Sequence, residues 1–266
     1  MSKLEEFFAA SRQLGSDRNI VQGAGGNTSY KLGNELIVKA SGTRLDNAEE
    51  ATFARVNLDC CRDLVGSPAD MDLADCMTDT ARNIRPSIET TLHAVIPHKC
   101  IAHVHSVNTI AVSIQPDLDE AMGVVLEGMA WARLPYLKPG LDIATHIADI
   151  IDHSKLDILV LENHGLITGA ETPQQMVDLV FDVERKLSAL IRPPVPKPAK
   201  PEILLELCAR SPGFIPANLG NSQAMAMDEI AVKAAGAGTL YPDHVVFLGP
   251  GVAIVQAGQT IQEAVD

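Results

Sequence analysis

Five prolines fall within the ten residues from Arg192 to Pro201, and this run limits what the chain can fold into more than any other feature. Each proline ring fixes φ and removes a backbone donor, so neither a helix nor an interior strand continues across such a stretch. The run predicts an extended linker over 193–201. It separates a catalytic-sized domain, residues 1–192, from a small C-terminal segment, 202–266, of mixed helix and strand pattern and unknown role. A domain of that length needs no covalent cross-links to hold a core.

Within the first stretch, helical and strand patterns alternate. Leu4, Phe7, Phe8, Ser11 and Leu14 lie on one face of a helix that Gly15 would end. Tyr30–Leu32 and Glu35–Ala40 flank a Gly33-Asn34 turn and read as a hairpin. From Asp79 to about Pro97 the pattern is helical, broken at Arg85-Pro86 and restarting with Ser87 as N-cap and Glu89 in the first turn. A short strand over 100–105, a helix over 141–153, a buried strand over 156–161 and a helix from Pro173 to about Ile191 follow.

Apolar residues at 46% and charged residues at 21% are ordinary for a globular domain, while aromatics at 4% predict a core of Leu, Ile, Val and Ala. A formal charge of −13 opposes a phosphate backbone or an anionic membrane surface, so neither nucleic acid nor membrane is expected as partner. No segment approaches the roughly 18 unbroken apolar residues of a spanning helix, and Met1–Glu6 lacks a leader pattern. A cytoplasmic protein is expected. Five cysteines form no C-x-x-C pair, and their odd number predicts reduced, mostly buried thiols.

His103 and His105 are two apart on a predicted strand, so both imidazoles project from one face and can grip one ion. His164, at the end of a second strand, could supply a third ligand, and three protein ligands with one open position is what a catalytic zinc requires. By itself the H-x-H pair fits a hydrogen-bonded core pair better. His93, His98, His146, His153 and His244 read as surface or supporting positions, although His93 shares a helical face with Glu89, four residues earlier. Glu89 is the acidic residue closest before the pair; a carboxylate there could ligate an ion, act as acid and base, or only complement the helix dipole. Gly25-Gly26-Asn27-Thr28-Ser29, with Ser41-Gly42-Thr43 and Ser87, could nest an anion or form a plain turn. No dinucleotide fingerprint, Walker loop, nucleophile elbow or H-E-x-x-H helix is present. Lys39 is the first lysine to test for Schiff-base chemistry.

Taken in order, Gly25-Gly26-Asn27-Thr28-Ser29, Ser41-Gly42-Thr43, Arg85-Pro86-Ser87-Ile88-Glu89, His103-Val104-His105 and Asn163-His164-Gly165 resemble the class II aldolase/adducin family. The resemblance runs from about residue 4 to 191 and includes Pro135-Tyr136-Leu137-Lys138-Pro139-Gly140. It implies an α/β fold, a three-layer α/β/α sandwich around a mostly antiparallel sheet, with the C-terminal segment a small α/β appendage. It also implies a homo-oligomer, a tetramer favoured, with active sites between subunits. By the same resemblance His103, His105 and His164 match zinc-binding histidines, Glu89 the acid/base carboxylate, and Gly26, Asn27, Ser41, Gly42 and Ser87 the substrate-binding loops.

Two features depart from fuculose-phosphate aldolases: Ile88 stands where they carry a second serine, and the interval from Glu89 to His103 is shorter. In the latter the chain is more similar to the aldolase half of fused rhamnulose-phosphate aldolase/alcohol dehydrogenases, without the dehydrogenase half. The expected activity is carbon–carbon cleavage of a ketose or sugar phosphate through a metal-stabilised enediolate, with Zn2+ as the divalent ion. Glu89 would move the proton at the enediolate carbon, and Tyr136 is the available donor to the leaving aldehyde. The same scaffold also serves epimerases, decarboxylases, dehydratases and adducin-like interaction modules, and Ile88 leaves phosphorylation of the substrate open.

Overall fold

The computed structural model describes residues 2–66, 72–81, 84–153, 155–192, 200–216, 226–249 and 251–266. The chain divides into two compact units, residues 1–191 and 192–266. In the first, α1 (Lys3–Ser16) precedes a hairpin of β1 (Asn27–Leu32) and β2 (Glu35–Lys39), then β3 (Phe53–Asn57), α2 (Leu58–Asp63) and α3 (Thr90–Val95). Next come β4 (Cys100–Val104), α4 (Val107–Ser113), α5 (Asp119–Val125), β5 (Trp131–Leu134) and α6 (Leu141–His153). The unit ends with β6 (Ile158–Leu161), β7 (Gly165–Ala170) and α7 (Pro173–Ser188).

The strands form one sheet in the order β3-β2-β1-β4-β7-β6-β5, in which only the β5–β6 pair is parallel. Gly33, at φ +61°, takes the first position of the two-residue hairpin turn, where a side chain would be strained. Apolar residues on both sheet faces make this a sandwich. On one face Phe7, Tyr30, Phe53, Val104 and Val180 join a core under α1 and α7; on the other Leu92, Ile101, Ile143 and Ile167 pack under α3 and α6. Strand alternation sends Cys100, Ala102 and Val104 of β4 to the first core and Ile101 to the second, so His103 falls on the α3 side.

Three expectations change. The described residues of 79–87 form no helix: Pro86 bridges Ala40, and Ser41 N–H donates to Arg85 O at 2.8 Å. Pro86 has no N–H to donate and pushes Arg85 toward extended backbone, so the segment lies along the end of β2 instead. Helix begins only at Thr90, with Glu89 at its cap. Cys60 and Cys76 are disulfide-bonded rather than reduced. The bridge Val56↔Met77 lays residues 76–78 beside β3, and α2 follows β3 directly, so the two cysteines meet with Cα atoms 5.5 Å apart.

The third change concerns the second unit, where helix is the only regular element among the described residues: α8 (Pro201–Ala209), α9 (Glu229–Gly236), α10 (Pro242–Leu248) and α11 (Ile261–Val265). The strand pattern expected there is not formed; Val245-Val246-Phe247 lies in α10. Residues 193–199 of the expected linker lie outside the described residues, and Pro201 starts α8, a position where its missing N–H costs nothing. Among the described residues no helix is long and apolar enough to cross a membrane.

Lys31 on β1 reaches under α3, where its ammonium donates to Ile96 O at the helix's C-terminal end. Burial, reinforced by Arg62 and opposed by Glu171, pushes its pKa down to about 7. Between that value and the unfolded one the native state binds fewer protons than the unfolded chain, so stability rises with pH. Relative to Lys31→Met, the natural protein should gain about 1–2 kcal/mol between pH 7 and 8.5, read by urea unfolding at each pH. Parallel stability curves for the two proteins would show that Lys31 does not titrate there.

Candidate metal centre

The three histidines converge at the end of β4. His103 is the strand's fourth residue and His105 follows just past it. His164 lies in the three-residue connection between β6 and β7, and the registers Val104↔Leu166 and His103↔Ile167 carry it alongside. Two local features allow this. Asn163 sits at φ +51°, a left-handed conformation that asparagine tolerates. A Cβ on Gly165 would lie 2.3 Å from Val104 O, so only glycine lets β7 close on β4 there. On the opposite edge Gly26, at φ +60°, likewise leaves room for His103 O, which a Cβ would approach to 3.0 Å.

His103 Nε2 lies 3.2 Å from His164 Nε2 and 3.3 Å from His105 Nε2. Glu89 Oε1 lies 3.2 Å from His164 Nε2 and 3.5 Å from His103 Nε2. Ligands about 2.0–2.1 Å from a tetrahedral ion are about 3.3 Å apart, so these spacings are those of a coordination shell. All four side chains are buried, and Glu89 Oε1 accepts no hydrogen bond of ordinary geometry. A buried carboxylate oxygen facing imidazole nitrogens is left orphaned unless a cation satisfies it.

The nearby groups favour the ligand form. His103 Nδ1 is 3.3 Å from Leu166 O and can donate only there, which leaves Nε2 bare for an ion. Burial, with His164, His105 and His93 adding to it, outweighs the attraction of Glu89 and keeps His103 well below the usual imidazole range. His103 therefore offers a free-base nitrogen at neutral pH.

The structure groups the predicted substrate-loop residues less evenly. Ser87 lies beside Asn27, with Asn27 Nδ2 3.4 Å from its Oγ, and Ser41 and Gly42 form an exposed turn against residues 85–87. The Asn27 side chain is committed to protein partners: Nδ2 donates to Glu89 Oε2 at 2.9 Å, and Oδ1 accepts from His93 Nε2. Tyr136 is half-exposed on the loop after β5, and a Cβ on Gly140 of that loop would come 3.9 Å from Ile88 O. Lys39 is buried and donates to Ala24 O at 2.8 Å, which ties the glycine loop to β2.

Three histidines read as surface or supporting positions, His93, His98 and His244, are buried. His98 bonds Asp157 at 2.7 Å and packs over Gly169. His93 joins the Glu89 network, and its only sequence signal was the four-residue spacing from Glu89.

A model of the class II aldolase and adducin N-terminal domain matches residues 5–191. YuxG of Bacillus subtilis, described as an uncharacterized oxidoreductase, is 30% identical over 205 residues, which are 70% of this chain and only 30% of that protein. Among solved structures, the N-terminal class II aldolase domain of a Thermoplasma acidophilum protein is 26% identical with a TM-score of 0.65, covering 72% of this chain and 94% of its own. The l-fuculose-1-phosphate aldolase of Thermus thermophilus shares the fold at 17% identity and a TM-score of 0.51, covering 70% of this chain and 93% of its own.

Proposed function

The chain belongs to the class II aldolase and adducin family, and from that membership we propose that it is a metal-dependent aldolase that cleaves a ketose, a sugar phosphate in the first instance, by retro-aldol chemistry. The observation that carries the reading is the buried convergence of three imidazole Nε2 atoms and Glu89 Oε1. A protein-interaction module has no use for three buried imidazole nitrogens turned toward one another beside a buried carboxylate. The chain spans 30% of the length of its relative YuxG, so an activity of a longer assembly is no part of this proposal.

In this reading His103, His105 and His164 hold a divalent ion, Zn2+, and the ion supplies Lewis-acid charge that lowers the energy of an enediolate. The protein's own groups do the rest. Glu89 Oε1 faces the cluster, and in this reading it delivers a proton to the enediolate carbon after the bond has broken and removes it in the reverse direction. The Ser41-Gly42 turn and Ser87 take the distal anion of the substrate, and Tyr136 serves the aldehyde oxygen: it takes the proton of the hydroxyl that becomes the carbonyl in cleavage and returns it in the condensation direction. A homotetramer would supply each site with the neighbouring subunit's surface.

The test is a panel of free and phosphorylated ketoses incubated with protein reconstituted with Zn2+, with release of the aldehyde followed by coupled reduction. Cleavage of at least one phosphorylated ketose is the expected result. Epimerised, decarboxylated or dehydrated product without cleavage would overturn the aldolase reading.

A further inference from the structure

We infer that His93 is a positioning residue for Glu89, acting through Asn27 so that one carboxylate oxygen is held by protein and the other is presented to the histidine cluster. This rests on the reading of Glu89 as the group that works at the metal.

The direction of every bond in the chain Ser29–His93–Asn27–Glu89 follows from the inventory of donors and acceptors. An ionised carboxylate only accepts, so the atom 2.9 Å from Glu89 Oε2 is the Asn27 nitrogen, as found. Asn27 Oδ1 must then face His93, and an amide oxygen cannot donate, so His93 Nε2 carries the proton. Nδ1 of a neutral ring is then bare and accepts from the Ser29 hydroxyl at 2.8 Å. Burial pushes the His93 pKa to about 3, against the attraction of Glu89, so the ring stays neutral and holds a single proton. Rotating the Asn27 amide by half a turn would set its oxygen against the carboxylate and its NH2 against the ring N–H. His93 prevents that rotation, and thereby fixes which face of Asn27 Glu89 meets.

The arrangement is built from two periods that coincide. Glu89, at the cap of α3, and His93 are four residues apart, about 6 Å in helical rise, and Asn27 and Ser29 are two strand residues apart, about 6.6 Å along β1. The helix therefore lays two side chains onto two same-face strand residues without distortion. All four are buried.

Binding of Co2+ to the full chain, followed by its visible d–d absorption, tests this without requiring turnover. His93→Phe removes both ring hydrogen bonds, while His93→Gln keeps an N–H for Asn27. With one ion still bound per chain, His93→Phe is expected to shift the bands in the direction that Glu89→Gln does and to lower Co2+ affinity about 10–100-fold. His93→Gln should restore the natural spectrum. If Phe prevents folding, His93→Leu carries the same expectation.

A natural spectrum for the Phe or Leu variant, beside a shifted one for Glu89→Gln, overturns the inference alone. Failure of Gln to restore the spectrum also overturns it, because the perturbation would then reflect packing. An unshifted Glu89→Gln spectrum overturns it together with the reading of Glu89 at the metal, so the two failures are distinct.

Discussion

Protein carrying His103→Ala is expected to purify without its divalent ion and to lose at least ~10³-fold in turnover, since an ion that stabilises charge by several kcal/mol is lost with its ligand. His103 is the member of the cluster that meets all the others: its Nε2 is within 3.2–3.5 Å of His164, His105 and Glu89. Its removal leaves two nitrogens, one short of the three protein ligands on which a catalytic zinc is held. Metal content by mass spectrometry and thermal unfolding with and without Zn2+ measure this directly. The natural protein should unfold at higher temperature when the ion is added, because the ion binds only the folded state, and the variant should not respond. Stoichiometric metal and natural turnover in the variant would remove His103 from the site.

Glu89→Gln separates ion binding from proton transfer. The amide has nearly the carboxylate's shape and can still meet Asn27, but it cannot take up a proton at neutral pH. Three histidines remain, so about one ion per chain is expected to stay bound while kcat falls about 10²–10⁴-fold, the usual weight of a positioned acid or base. KM should change little by comparison, since the lost interaction belongs to the proton in flight rather than to substrate binding. Full lyase turnover with unchanged metal content would show that Glu89 moves no proton.

Both predictions concern residues that could be picked out before any coordinates. The order of the glycine loop, Glu89, the H-x-H pair and Asn163-His164-Gly165 pointed to one site through its resemblance to the family, while strand alternation, a local rule, gave only that His103 and His105 share a face. Helix α6, the β1–β2 hairpin and most of α7 were legible for the same reason: periodicity and punctuation act over a few residues. The stretch 79–87 misled because its composition is helical on either side of Pro86, while its backbone partners, Lys39 and Ala40, lie more than forty residues away. Cys60 and Cys76 likewise show no spacing signal; the return of the chain beside β3 brings them together.

What the sequence determined by itself, then, is those elements whose periodicity and end signals are local, such as α1, the β1–β2 hairpin, α6 and α7, and the chemistry available at their ends. What only the tertiary structure decided is which of those groups face one another and with what proton arrangement. Asn27 read as a substrate-loop side chain and His93 as a supporting histidine; the packing of α3 on β1 turned them into a directional chain ending on Glu89. Hydrogen-bond direction is a property of pairs, and its partners here are separated by more than sixty residues. No local pattern encodes such a pairing, because it arises only when buried donors must all find acceptors in the same packed layer.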